Sequence, residues 1–163
     1  MRWDEGVLPT PVETVVLHDF LLILSDALPD LAARWLAADV ADSPAVRALA
    51  GADPRDPWNV EELLSTSIDE LHATVPASMG ERRAIAVEWV ARTWLRSRDT
   101  RQAVSTLSRL ALTNLDLPLR LDDFIGLDDE WTDLGTWGRT RAELEARATQ
   151  LLTGFLRELP TDR

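Results

Sequence analysis

Six places in this chain carry the residue pattern that starts an α-helix, and that density constrains the fold more than any other feature. Thr10-Pro11-Val12-Glu13 sets a capping threonine before a proline at the first helical position, with glutamate at the third. Ser78-Met79-Gly80-Glu81 and Thr140-Arg141-Ala142-Glu143 repeat the box, in which a hydroxyl and a carboxylate satisfy backbone N–H groups that the first turn leaves orphaned. Asp56-Pro57 ahead of Glu61 and Glu62 reads as a cap with acids in the first two turns. Ser43-Pro44 is a shorter start and Asp99-Thr100-Arg101-Gln102 a weaker box.

Apolar spacing agrees with these starts. Val60, Leu63, Leu64, Ile68 and Leu71 recur at threes and fours, as do Val104, Leu107, Leu110 and Ala111. Leu144, Ala148, Leu151, Leu152, Phe155 and Leu159 continue the pattern near the C-terminus. Residues 12–28 are apolar on more than one side, which predicts a central helix. Residues 84–95 present Ile85 and Trp89 on one face and Val87, Ala91 and Trp94 on another, which predicts a sandwiched one. Only four isoleucines occur and no stretch alternates convincingly, so strands are not expected. The spacing predicts helices over 11–27, 29–39, 44–50, 57–73, 80–97, 100–115 and 140–158, with an irregular acidic loop near 116–139. The fold class expected is all-α: one compact helical bundle of about six or seven helices spanning residues 1–163 as a single domain.

At 163 residues such a chain buries about 68–70% of its unfolded surface, enough for its own core. Its composition also narrows the chemistry. There is no cysteine, which removes disulfides, thiolate zinc sites, iron–sulfur clusters and thiol nucleophiles. All 17 basic residues are arginine and tyrosine is absent, so Schiff-base chemistry, a pyridoxal anchor and a Walker lysine are excluded. Serine, threonine, carboxylates and two histidines remain, a poor catalytic inventory. A non-enzymatic protein with no cofactor and no metal is expected. The arginine-only usage points to a GC-rich bacterial source. Residues 1–6 lack a signal-peptide pattern, and the longest apolar run, Leu21 to Leu24, falls far short of the roughly 18 residues of a membrane span. A cytoplasmic protein with no membrane partner is expected.

The net charge is −11, unevenly spread. Residues 1–80 hold 14 acids and 4 arginines, residues 81–115 hold 3 acids and 7 arginines, and residues 116–138 hold 7 acids and 1 arginine. Arg82, Arg83, Arg92, Arg96, Arg98, Arg101 and Arg109 with Trp89 and Trp94 form the one nucleic-acid-like signal. The overall charge repels a polyanion, and pairing with the acidic N-terminal half accounts for these arginines more simply. No nucleic-acid partner is expected.

The candidate partner-binding site is the acidic loop. Asp122, Asp123, Asp128, Asp129 and Glu130 interleave there with Phe124, Trp131 and Trp137. Rings supply buried anchor area while carboxylates steer a basic partner into place. The competing explanation is that the aromatics plug one end of the bundle and the acids stay solvated. The spacing does not suit calcium: counted from Asp122, position six is Leu127 and position twelve Asp133. His18-Asp19 are sequence neighbours and point about 100° apart on a helix, so they form no obvious catalytic pair. His72 falls at a helix C-terminus, where a cation complements the dipole. Trp35, Trp89 and Trp94 lie in apolar contexts and read as core. Trp3, Trp58, Trp131 and Trp137 fall near helix starts or in loops, where an indole covers an end.

The reading these features favour is a non-catalytic interaction protein whose acidic surface binds a basic protein partner. Its profile of size, charge and class matches small acidic helical proteins that neutralise basic bacterial toxins, an immunity- or antitoxin-like role, although no motif is shared. Two alternatives stay open. One is a ligand-binding or hydrolytic domain with an inter-helical pocket containing His18 or His72 and a carboxylate. The other is a scaffold subunit of a larger assembly with a broad apolar patch. Oligomeric state is not readable from the sequence.

Overall fold

The computed structural model of the chain describes residues 7–112, 121–133 and 138–158, and every regular element among them is helical. Eight α-helices follow in order: α1 Pro11–Asp19, α2 Leu28–Ala37, α3 Pro44–Ala50, α4 Pro57–Glu70, α5 Met79–Ser97, α6 Thr100–Leu112, α7 Asp122–Thr132 and α8 Arg141–Glu158. A 3₁₀ turn, Ser25–Ala27, leads into α2. The chain divides into two compact units, one formed by Leu8–Ala86 and the other by the chain from Val87 onward, so the boundary falls inside α5. No helix among the described residues is long and apolar enough to cross a membrane.

All six sequence starts are used as caps. Thr10 and Glu13 close the full box, with Thr10 N–H donating to Glu13 at 2.8 Å and Glu13 N–H donating to Thr10 at 3.2 Å. Thr140 and Glu143 close another, and the Glu143 carboxyl is held below its usual range by hydrogen bonds from the Thr140 backbone and hydroxyl. Ser43, Asp56, Ser78 and Asp99 each accept from the backbone N–H three residues on.

In the first unit α2 packs on α3, α3 on α4, and α1 and the 3₁₀ turn on α4. Val16, Leu17, Ile23, Leu28, Trp35, Val46, Leu49 and Val60 are wholly buried. The Trp35 indole N–H donates to the Pro9 carbonyl at 2.7 Å, so the largest side chain of this core leaves no polar atom stranded. Glu70, at the end of α4, accepts from the Ala45 N–H at 2.8 Å and so caps α3 from outside.

The expected helix over 11–27 stops at Asp19. Leu21 takes φ +54°, its N–H donates to His18 O, and the Leu22 N–H reaches back to Leu17 O. That is the Schellman arrangement, accompanied by its usual apolar pairing, here of buried Leu17 and Leu22. Glycine normally marks such an end. A leucine there hides it from the sequence.

In the second unit α6 packs on α7, and both pack on α8. Its core includes Leu107 and Leu110 of α6, Phe124, Leu127 and Trp131 of α7, and Leu144, Ala148, Leu152 and Phe155 of α8. Phe124 and Phe155 meet edge to face, centroids 6.3 Å apart. Helix α7 lies inside the segment expected to be an irregular loop, and it is the extra element beyond the expected six or seven. Phe124, Leu127, Asp128 and Trp131 fall at i, i+3, i+4 and i+7, a narrow helical stripe. Its start carries no side-chain cap, because Leu121 stands at the N-cap position. In α5 Val87, Trp89, Ala91 and Trp94, from both faces expected to be sandwiched, are at 3% exposure or less, while Ile85 is half-buried.

Candidate functional site

The structure splits the candidate site of the acidic segment. Phe124 is 2% exposed and Trp131 5%, so the rings expected to anchor a partner are core side chains of the second unit. Asp128 is ion-paired with Arg101, which also donates to Thr132 and lies over the Trp131 ring, its guanidinium carbon 5.5 Å from the centroid. Glu130 pairs with Arg139 at 3.4 Å. Asp122, Asp123 and Asp129 remain exposed, while Trp137 lies outside the described residues. Arg101, expected to meet the acidic N-terminal half, thus meets the acidic segment beside it. A shallow depression of about 650 Å³ lies between the start of α7 and α8, with Asp123, Arg147 and Arg157 in its lining.

The acid–aromatic combination sits instead on α4. Trp58 is 83% exposed, among the described residues by far the most exposed aromatic ring. At about 100° per residue, Trp58, Glu62, Ser65 and Asp69 line the side of α4 opposite its buried residues Val60, Leu64, Ser67 and Ile68, with Glu61 on the flank. The carboxylates of Glu62 and Asp69 make no hydrogen bond or ion pair among the described residues. Leu8–Ala86 carries 13 acids against 5 arginines, −8 in all. Of those arginines Arg47 is paired with Asp42 and Arg82 with Asp19, and Arg83 is buried; Arg55 is exposed just ahead of α4, so the acids still outnumber the cations around this face.

Beside the α4 face is a groove of about 290 Å³. Val15, Leu64, Ile68 and Val75 give it an apolar floor, and His18, Glu61, Asp69 and Arg82 surround it. Arg82 is committed elsewhere, with Nη1 2.5 Å from the Asp19 carboxylate and Nε donating to the Pro76 carbonyl at 2.6 Å. His18 Nε2 is 3.1 Å from Ser25 Oγ, and the Ser25 hydroxyl donates to Glu61 Oε1 at 2.7 Å. Since the serine proton goes to the carboxylate, Nε2 must be the donor towards Ser25. A hydrolase needs the reverse, an imidazole nitrogen accepting the serine proton with the acid on the far nitrogen. Here the acid and the serine share one side of the ring, with Glu61 Oε1 3.7 Å from Nε2. The network fixes the Glu61 rotamer and ties the 3₁₀ turn to α4; it does not activate Ser25.

His72 is the exposed residue just beyond α4, at φ +51°, and does not line the groove. No three histidine, aspartate or glutamate side chains converge as a metal site among the described residues. Sequence reasoning missed the α4 face, although its signal was present: a large aromatic on the polar side of an otherwise regular amphipathic helix. The chain matches no family model, no curated protein and no solved structure.

Proposed function

We propose that this is a non-catalytic interaction protein that binds a basic segment of a protein partner on the exposed face of α4. The observation that carries this reading is Trp58, an indole left 83% exposed beside Glu62, whose carboxylate has no partner among the described residues, in a strongly acidic unit. Exposing an indole forgoes burial free energy of about 1.5–3 kcal/mol, a loss that a partner's contact recovers. A guanidinium or ammonium over that ring gains about 0.5–1 kcal/mol at an exposed site and more once desolvated, and Glu61, Glu62 and Asp69 steer it there. Blocking a basic effector in a bacterial cytoplasm, as immunity and antitoxin proteins do, is the biological setting this chemistry suits.

The test is capture from the native host at low salt with the wild-type chain, with Trp58→Ala, and with Asp122, Asp123 and Asp129 all changed to Asn. The expected result is one basic protein, eluted by salt, lost from Trp58→Ala and retained by the triple variant. Capture of an acidic or neutral protein, retention by Trp58→Ala, or no capture at all contradicts the reading.

A further inference from the structure

The groove adds shape to what Trp58 and its carboxylates provide as charge. We propose that it is the specificity pocket of the α4 face and takes one arginine or lysine side chain of the basic segment. The inference rests on the reading that α4 binds such a partner, and adds where a second cationic side chain goes. Long basic side chains have an apolar stem and a charged head, and the groove has the matching halves. The stem lies on Leu64, Ile68 and Val75, and the head meets Asp69, whose carboxylate has no partner among the described residues. Glu61 gives the other end of the groove its negative charge, and its Oε2 has no partner among the described residues, since Ser25 takes Oε1. Arg82 does not compete for these acids, since Asp19 meets its charge. A volume of about 290 Å³ suits one side chain, at the bottom of the ~300–1,000 Å³ range of small-molecule sites.

Spacing makes the proposal specific. Trp58 and Asp69 are eleven residues apart on one helix, about 16 Å along its axis. Two cationic side chains four residues apart on one side of an extended segment are about 13 Å apart, and side-chain reach covers the rest. The segment that fits therefore carries basic residues at i and i+4.

The experiment titrates the labelled full chain with the peptide Ac-Arg-Gly-Ala-Gly-Arg-NH2, following the Trp58 indole N–H and the Ile68 and Val75 methyls by NMR. Its control is the same peptide with both arginines replaced by citrulline, which keeps the shape and removes the charge. The arginine peptide is expected to shift both sets of signals and the citrulline peptide neither. Asp69→Asn is expected to abolish the methyl shifts, keep the Trp58 shift and weaken binding about threefold, the scale of one exposed ion pair. If the indole shifts and the methyls do not, the groove proposal is overturned while the α4 reading stands. If neither shifts, the α4 reading fails and takes the groove with it. Equal methyl shifts with citrulline, or in Asp69→Asn, overturn recognition of the cation.

Discussion

Leu21, Asp39, His72 and Arg98 all adopt φ between +51° and +56°, and each follows the end of a helix. Left-handed backbone costs an L-residue about 1–2 kcal/mol, and glycine avoids most of it. The chain has only 7 glycines and places none at these four ends. Leu21 is 70% exposed, so its side chain contributes little packing to set against that strain. Leu21→Gly should therefore raise stability by about 0.5–1 kcal/mol, read as a higher urea midpoint, and a lower midpoint would show that the leucine contributes more than its backbone costs. Arg83 is the opposite case, a buried charge. It is 2% exposed, its Nε has no hydrogen-bond partner among the described residues, and its guanidinium carbon lies 6.0 Å from the Phe20 ring centroid. Burial pushes its guanidinium below the usual value. Arg83→Met keeps the length and removes the buried charge, so a gain of about 1–2 kcal/mol is expected in denaturant titration. A loss of similar size would mean that the cation is compensated by more than the Phe20 ring.

Helix ends decided how much of the fold could be read in advance. The starts were legible because capping chemistry is local: a hydroxyl or carboxylate and the backbone three residues later are fixed by sequence spacing alone. The end of α1 was not, since a leucine occupies a position where glycine is the usual signal. Helix α7 was hidden because its start has no capping side chain and its many acids resemble a loop composition. Trp58 was seen only as an end-covering indole, because whether a ring is covered depends on packing from elsewhere in the chain. Glu70 is likewise a tertiary cap that no local pattern announces. Its carboxyl is held below the ordinary range by hydrogen bonds from the Ala45 N–H and the Ser43 hydroxyl. A depressed folded pKa stabilises above the unfolded value of about 4.3, and the contribution is lost as pH falls through the folded value. Glu70→Gln should accordingly be less stable than wild type at pH 7, with the gap closing in acid below the folded pKa. A gap that stays constant from pH 7 to about pH 3 would remove the ionised carboxylate from the account of α3.

At the scale of the whole molecule the two acidic regions are put to different uses. In the chain from Val87 onward, Asp128 and Glu130 meet Arg101 and Arg139, and the aromatic side chains between them build the core. Asp128→Arg should thus destabilise that unit by about 1–2 kcal/mol, whereas Asp129→Arg, at an exposed position, should stay within about 0.5 kcal/mol of wild type. Equal effects of the two substitutions would show that the Arg101 pair carries no weight. In Leu8–Ala86 the acids outnumber arginines by eight, and the α4 carboxylates of Glu62 and Asp69 have no partner among the described residues. Self-neutralisation in one region and unmatched charge in the other is why we propose the partner face on α4 and not on α7. The most direct test of that assignment is a hydrogen-exchange footprint of the chain bound to its captured partner at low salt. Added protection over residues 57–70, with α7 exchanging as in the free chain, is the predicted result. Protection centred on residues 122–132, with α4 unchanged, would contradict it.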